Sequence, residues 1–410
     1  MPRNRERPAA SMRAFAGPDA SNCTWAEMRL FRSTADKNIM EPHYLVAGDL
    51  HTERAQYGLS IRYEDNQRCI EAILQEACSN PGCLGLILTG DTFHRKSLLP
   101  KYQIRLQNIA KRLHQAGKKF FAIDGNHDGS DASWLDTVSP EINADGRVLK
   151  LGPVNAAFLS YQPREQLYEK IKQLPNDTTV LLMHGRILEL MAWAAHQQEP
   201  EYDFSAKELR ELGLKNCTVF MGDLHTYSDY HDPVANNWFI YSGSTEMTEI
   251  SEGNVISDRF GPRYDTVKKC LRFYPGREHG RNWEVMDLPS RPFLKRIIGP
   301  EEDPDLAVQS VNQWVESHPE GILALHYPQK LRAALKPHLG AWRQKLLVFF
   351  EVPLSDGMAR PLQEMKETDI LEIAQKELTA RQLQILTLVL TQDPFDNPLG
   401  DLMKIPATAT

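Results

Sequence analysis

Five apolar runs of strand length in this chain end in aspartate, asparagine or histidine beside a glycine. The fragments are GDLH at 48–51, GDTFH at 90–94, GNHD at 125–128, MHG at 183–185 and GDLH at 222–225. The runs that feed them, HYLVAG (43–48), LGLILT (84–89), KFFAID (119–124), TVLLMH (179–184) and CTVFMG (217–222), are continuous rather than alternating. A strand apolar at every position is buried on both faces, so helices or a second sheet must cover it. The segments between supply such cover. Residues 65–77 place Cys69, Ile70, Ile73 and Leu74 on one helical face, and 101–117 reads as a helix stopped by Gly117. Shorter helices are expected at 163–174 and 205–213, and further strands at 148–151, 155–160 and 237–243. The expected architecture is a two-sheet α/β sandwich.

Open α/β sheets collect ligands outside the carboxyl ends of their strands, and all five fragments fall there. Glycine beside each lets the backbone turn sharply and approach an ion closely. One Asp or His at a loop start would be an ordinary helix cap or turn. Five in the same context describe one centre. Mixed carboxylate, amide and imidazole donors suit Mn²⁺, Fe²⁺ or Zn²⁺ better than Ca²⁺ or Mg²⁺ alone. Two such ions about 3.5–4 Å apart would clamp a phosphoryl oxygen and activate water near neutral pH. One carboxylate has to bridge them, and Asp91, alone at its strand tip, is the natural choice.

Composition narrows the partners. The net charge of −7 argues against nucleic-acid binding by bulk charge, although divalent ions can supply the local positive field. Residues 1–40 carry a net of +3 and no apolar signal core. They read as a basic, flexible extension, or as sequence upstream of a start at Met28 or Met40, more readily than as a transit peptide. Trp25, Met28 and Phe31 share a helical face, so 24–35 could dock as a short helix. Six cysteines without a CxxC pair read as reduced, mostly buried thiols of a cytosolic protein. No run of eighteen apolar residues exists, so no membrane span is expected.

At 410 residues, more than one unit is expected. The texture changes at PSRP (289–292), where FLKRII (293–298), a helix at 305–318, GILALH (321–326), a helix at 328–337 and KLLVFFEV (345–352) suggest a βαβαβ unit. Residues 367–393 read as two helices, with capping-box spacing at Thr379 and Gln382. The expected divisions are a 1–40 extension, a 41–288 catalytic domain, a 289–353 cap and a 354–410 helical segment.

The series GDxH, GDxxH, GNHD, H and GxxH resembles the calcineurin-like metallophosphoesterases over roughly residues 43–245. That resemblance implies that Asp49, His51, Asp91 and His225 hold one ion. Asp91, Asn126, His184 and Asp223 would hold the other. It makes His127 a general acid that contacts the scissile phosphate rather than a ligand. The last motif is usually GHxH, and here Asp223 stands at the first histidine. A carboxylate can still bind the second ion, with preference shifted toward Mn²⁺ or Mg²⁺, or it can leave that ion weakly held.

GDTFHR (90–95) and YSGSTEMTEISE (241–252) are similar to segments of SbcD-type DNA repair nucleases, bacterial and phage relatives of the meiotic recombination nucleases. The resemblance implies a manganese-dependent 3′→5′ exonuclease and single-strand endonuclease acting on DNA in the cytoplasm. His94 would position the phosphate. It also implies a capping domain at 293–352, and a C-terminal segment that docks on an SbcC-type coiled-coil ATPase. Two copies would pair through 65–77 or 101–117. Arg95, Lys96, Lys101, Arg105 and Arg186 are candidate backbone contacts. The competing readings are a phosphatase or cyclic-nucleotide phosphodiesterase of the same superfamily, and a non-catalytic interaction protein.

Overall fold

The computed structural model describes residues 41–96, 99–128, 133–139, 141–191, 202–248 and 267–354, with backbone alone at 255–258 and 261–264. The expected helices at 24–35 and 367–393 lie outside the described residues.

Two sheets face one another. In the first, β1 (His43–Ala47), β2 (Cys83–Thr89) and β3 (Lys119–Ile123) run parallel. The second contains β4 (Val148–Leu151), β5 (Val154–Leu159), β6 (Thr178–His184), β7 (Thr218–Gly222), β8 (Ser228–Asp232) and β9 (Asn237–Tyr241) in the order β4-β5-β6-β7-β9-β8. Its middle strands β5, β6, β7 and β9 are parallel, and β4 and β8 close its edges antiparallel. The strand alternation explains why both faces are apolar. Tyr44 and Val46 of β1 point between the sheets against Phe158, Val180, Phe220 and Ile240. Leu45 points outward to the helices. The chain is the expected α/β sandwich.

The outer layer of the first sheet is α1 (Ser60–Ser79) and α2 (Pro100–Gln115). Their buried stripe of Cys69, Ile70, Ile73, Leu106, Ile109 and Leu113 forms one core with Leu86 and Leu88. Pro100 opens α2, where a missing N–H costs nothing. Gly117, at φ +69°, closes it, with Lys118 N–H donating to the Leu113 carbonyl at 2.8 Å. The short helices α3 (Trp134–Val138), α4 (Arg164–Lys172) and α5 (Ala206–Glu211) complete the connections, and the latter two cover the second sheet.

Three features depart from expectation. A two-stranded ribbon, β10 (Val255–Asp258) and β11 (Gly261–Tyr264), follows the last ligand motif. A hairpin of β12 (Lys269–Phe273) and β13 (Trp283–Asp287) extends the first sheet antiparallel to β1, giving the order β13-β12-β1-β2-β3. The third concerns the terminal unit. It contains β14 (Phe293–Ile297), α6 (Pro304–Ser317), β15 (Ile322–Pro328), α7 (Arg332–Lys345) and β16 (Val348–Leu354) as a parallel sheet around its own core. The expected helix at 328–337 instead starts at Arg332 and runs through Pro337 to Lys345. Leu335, Leu339 and Trp342 continue one buried stripe across the proline, which sits on the exposed side. Burial of that stripe outweighs the lost hydrogen bond.

Candidate metal centre

The ends of β1, β2, β3, β6 and β7 converge, and their loops are zipped together. The N–H of Asp49 donates to Gly90 O, that of His51 to Asp91 O and that of Thr52 to Thr92 O, at 3.0–3.1 Å. Asp49, His51, Asp91 and Asp223 all adopt positive φ, at 51°, 43°, 49° and 101°. Such backbone costs on the order of 1–3 kcal/mol per residue and persists only where surrounding structure enforces it. Part of the enforcement is lack of room. A Cβ on Gly90 would lie 2.3 Å from His184 Nδ1, one on Gly125 2.0 Å from Asp91 Oδ1, and one on Gly222 2.3 Å from Thr89 O.

Two ligand clusters result. Asp49, His51 and His225 offer atoms within 4.8 Å of one another, as do Asp49, Asp91 and His184. Asp91 faces both. Its Oδ2 lies 3.9 Å from His51 Nε2 and its Oδ1 3.6 Å from His184 Nε2. Asn126 Oδ1 is 3.2 Å from His184 Nε2, and Asp223 Oδ1 is 3.8 Å from the same nitrogen. The seven residues expected as ligands are thus brought together.

The ring orientations are fixed from outside the centre. His184 Nδ1 donates to the Thr89 carbonyl at 2.9 Å, which leaves Nε2 for the interior. His225 Nδ1 pairs with Thr248 Oγ1 at 2.8 Å, while Lys268 Nζ donates to the His225 carbonyl at 2.8 Å. The electrostatics call for a cation. Burial, with mutual carboxylate repulsion, raises Asp49 and Asp91 above the ordinary carboxyl range. Burial opposes charge on His184 too, yet Asp91, Asp49 and Asp223 together lift it to about 9. Burial, followed by its imidazole neighbours, holds His51 well below its usual value, as a neutral donor. Without an ion, a proton on His184 answers the carboxylates, while the neutral His51 keeps its lone pair; divalent ions fit this mixture of donors.

His127 and His94 stand beside this centre. Their rings stack at 5.5 Å and 16°, and His127 Nδ1 donates to the His94 carbonyl at 3.1 Å. His127 Nε2 lies 3.9 Å from Asp91 Oδ2. Arg54 NH1 approaches His94 at 3.3 Å, and the Glu53 carboxylate accepts the His94 N–H at 2.6 Å. Burial, then Arg54, pushes His94 down to about 3. Beside His94 opens a cavity of about 570 Å³ lined by Arg54, Tyr57, Arg95 and Tyr102.

The other basic candidates are placed differently. Arg105 turns onto Tyr63, its guanidinium 4.8 Å from that ring. Arg186 Nε lies 3.3 Å from Asp223 Oδ2. Lys101 lies over the Tyr102 ring, and the Lys96 carbonyl accepts from Trp134.

Sequence reasoning missed several supports. Asp128, the last residue of GNHD, accepts from the N–H groups of Thr92, Phe93 and Gly125 and ties two ligand loops. Its place in that motif was the available signal. Thr248 lies in the segment 241–252 already singled out, while Glu53, Arg54 and Lys268 carry no local signature.

An α/β sandwich with paired carboxylate–imidazole clusters at its strand ends defines a metallophosphoesterase, a metal-dependent hydrolase. Residues 42–243 match the model of the calcineurin-like phosphoesterase family. Among similar proteins, the DNA double-strand break repair protein Mre11 of Methanosarcina mazei is 25% identical over 302 residues, covering 70% of this chain and 45% of the relative. Its namesake in Methanosarcina acetivorans is 25% identical over 301 residues, with the same coverage. The Haloferax volcanii protein of that name is 27% identical over 215 residues, covering 50% of this chain and 46% of its own length. The chain spans less than half the length of these relatives. Among the described residues, no helix is long and apolar enough to cross a membrane.

Proposed function

We propose that this chain is a two-metal DNA nuclease, acting as a 3′→5′ exonuclease and single-strand endonuclease with Mn²⁺. The observation that carries the reading is the pair of ligand clusters joined through Asp49 and Asp91, with His127 and His94 stacked beside them. Relatives named as double-strand break repair proteins support DNA as the substrate.

Asp49, His51, Asp91 and His225 would hold one ion, and Asp91, Asn126, His184 and Asp223 the other. When bound, the ions polarise the phosphoryl group and make water a competent nucleophile. The remaining work falls to side chains. With Nδ1 committed to the His94 carbonyl, His127 presents Nε2 to the centre, takes a proton there from solvent water as the phosphodiester enters, and delivers it to the departing 3′ oxygen. His94, held by Arg54 and Glu53, orients a non-bridging oxygen. Arg95, on the adjoining cavity wall, meets the flanking backbone.

We assign 289–353 as a cap and 354–410 as the segment that docks on an SbcC-type coiled-coil ATPase, with α1 or α2 as the surface where two copies pair. The test is a manganese-dependent assay on end-labelled DNA beside a chromogenic phosphomonoester. DNA cleavage is expected. Rapid monoester turnover without DNA cleavage, even with the ATPase present, would overturn the reading.

A further inference from the structure

Asp223 is the ligand position at which this chain departs from the family's usual histidine, and it has a cationic neighbour. Exchanging a neutral imidazole for a carboxylate adds a negative charge to a centre that already holds Asp49 and Asp91. The Asp223 backbone is pinned, with φ at 101° and its N–H donating to both oxygens of Asp49 at 3.1 Å. Its side chain lies between two groups. Oδ1 faces His184 Nε2 at 3.8 Å, and Oδ2 faces Arg186 Nε at 3.3 Å. Arg186 is itself anchored, because its backbone N–H donates to Asp203 Oδ2 at 2.7 Å and its Nε lies 3.7 Å from the same oxygen. It follows the MHG motif directly, so the turn that aims His184 inward also brings the guanidinium to Asp223.

We infer that Arg186 is the built-in counter-ion of Asp223 and sets the affinity of the second divalent ion, making that ion the more weakly held of the two. The inference rests on the proposal that Asp223 is a second-ion ligand. A cation entering between Asp91, Asn126, His184 and Asp223 meets a guanidinium already paired with one of its carboxylates. It therefore loses attraction to Asp223 and gains repulsion from Arg186. Arg186 is a positioning residue here, acting on the metal through Asp223.

The test is Mn²⁺ titration of the metal-stripped full chain, following free Mn²⁺ by electron paramagnetic resonance so that both affinities are read without any activity. Wild type is expected to take up two ions of unequal affinity. Arg186→Gln should tighten the weaker one by on the order of tenfold and leave the tighter one unchanged, whereas Arg186→Lys should stay near wild type. Asp223→His should weaken the second ion while Arg186 is present, and recover it when combined with Arg186→Gln. An unchanged second affinity in Arg186→Gln, or an Asp223→His effect that is the same with and without Arg186, overturns the inference while the two-ion reading stands. Uptake of a single ion by wild type overturns both. Equal shifts in the two affinities assign Arg186 a merely structural role and also overturn it.

Discussion

Nε2 of His51 lies 3.2 Å from Nε2 of His225, two imidazoles meeting nitrogen to nitrogen across a half-buried space. Burial and the facing imidazole both keep His51 neutral, so protons satisfy this contact poorly. A cation accepting both lone pairs satisfies it well. Chelation should therefore destabilise the chain. With Mn²⁺ at a hundred times its dissociation constant, the expected stabilisation is about 2.7 kcal/mol. Thermal melts with chelator and with Mn²⁺ restored read it, and coincident curves would contradict a bound ion.

His127 is argued to move a proton rather than to hold metal. His127→Asn should lower DNA cleavage by roughly 10²–10⁴-fold with ion uptake unchanged. If the variant also loses an ion, His127 belongs among the ligands.

Two glycines with positive φ separate backbone strain from crowding. Gly117→Ala, at φ +69° with nothing near the new Cβ, should cost only about 1 kcal/mol. Gly90→Ala, at φ +99°, forces a methyl against His184 and should also lower the second ion's affinity. Denaturant unfolding with metal titration compares them, and equal behaviour would place the crowding argument in error.

A buried ion network gives a pH dependence outside the metal centre. Arg62 and Arg291 both bond Asp65 at 2.6 Å, and Arg62 also reaches Glu246 at 3.1 Å. Burial alone would raise the Asp65 carboxyl, but bonds and charge from Arg291 and Arg62 outweigh it and hold it below the ordinary 3.8. A depressed folded value means the stabilisation is full above 3.8 and fades as pH falls below it. Asp65→Asn should cost about 3–5 kcal/mol at pH 7, with the gap to wild type closing at acid pH. Urea titrations at both ends measure it, and a gap that does not change with pH would refute the assignment.

The parallel strands and the convergence of the candidate ligands were legible because continuous apolar runs and glycine-flanked Asp, Asn and His residues are local patterns. The hairpin at 269–273 and 283–287 was not. Lys269, Arg272, Glu284 and Asp287 break its apolar pattern, and its pairing with β1 joins residues more than 200 positions apart. Arg62 precedes the helix expected at 65–77, and Asp65 opens it away from the apolar face of Cys69, Ile70, Ile73 and Leu74. Arg62 and Asp65 are buried because Glu246 and Arg291 arrive from distant segments. The helix expected at 328–337 stopped short for the opposite reason, since tertiary burial of Leu339 and Trp342 carries it past Pro337.

The central claim is a pair of ions at one centre, and anomalous diffraction from Mn²⁺-soaked crystals tests it most directly. The account predicts two peaks about 3.5–4 Å apart, one among Asp49, His51, Asp91 and His225 and the other among Asp91, Asn126, His184 and Asp223. A single peak at saturating Mn²⁺, or a second one away from Asp223 and His184, would contradict it.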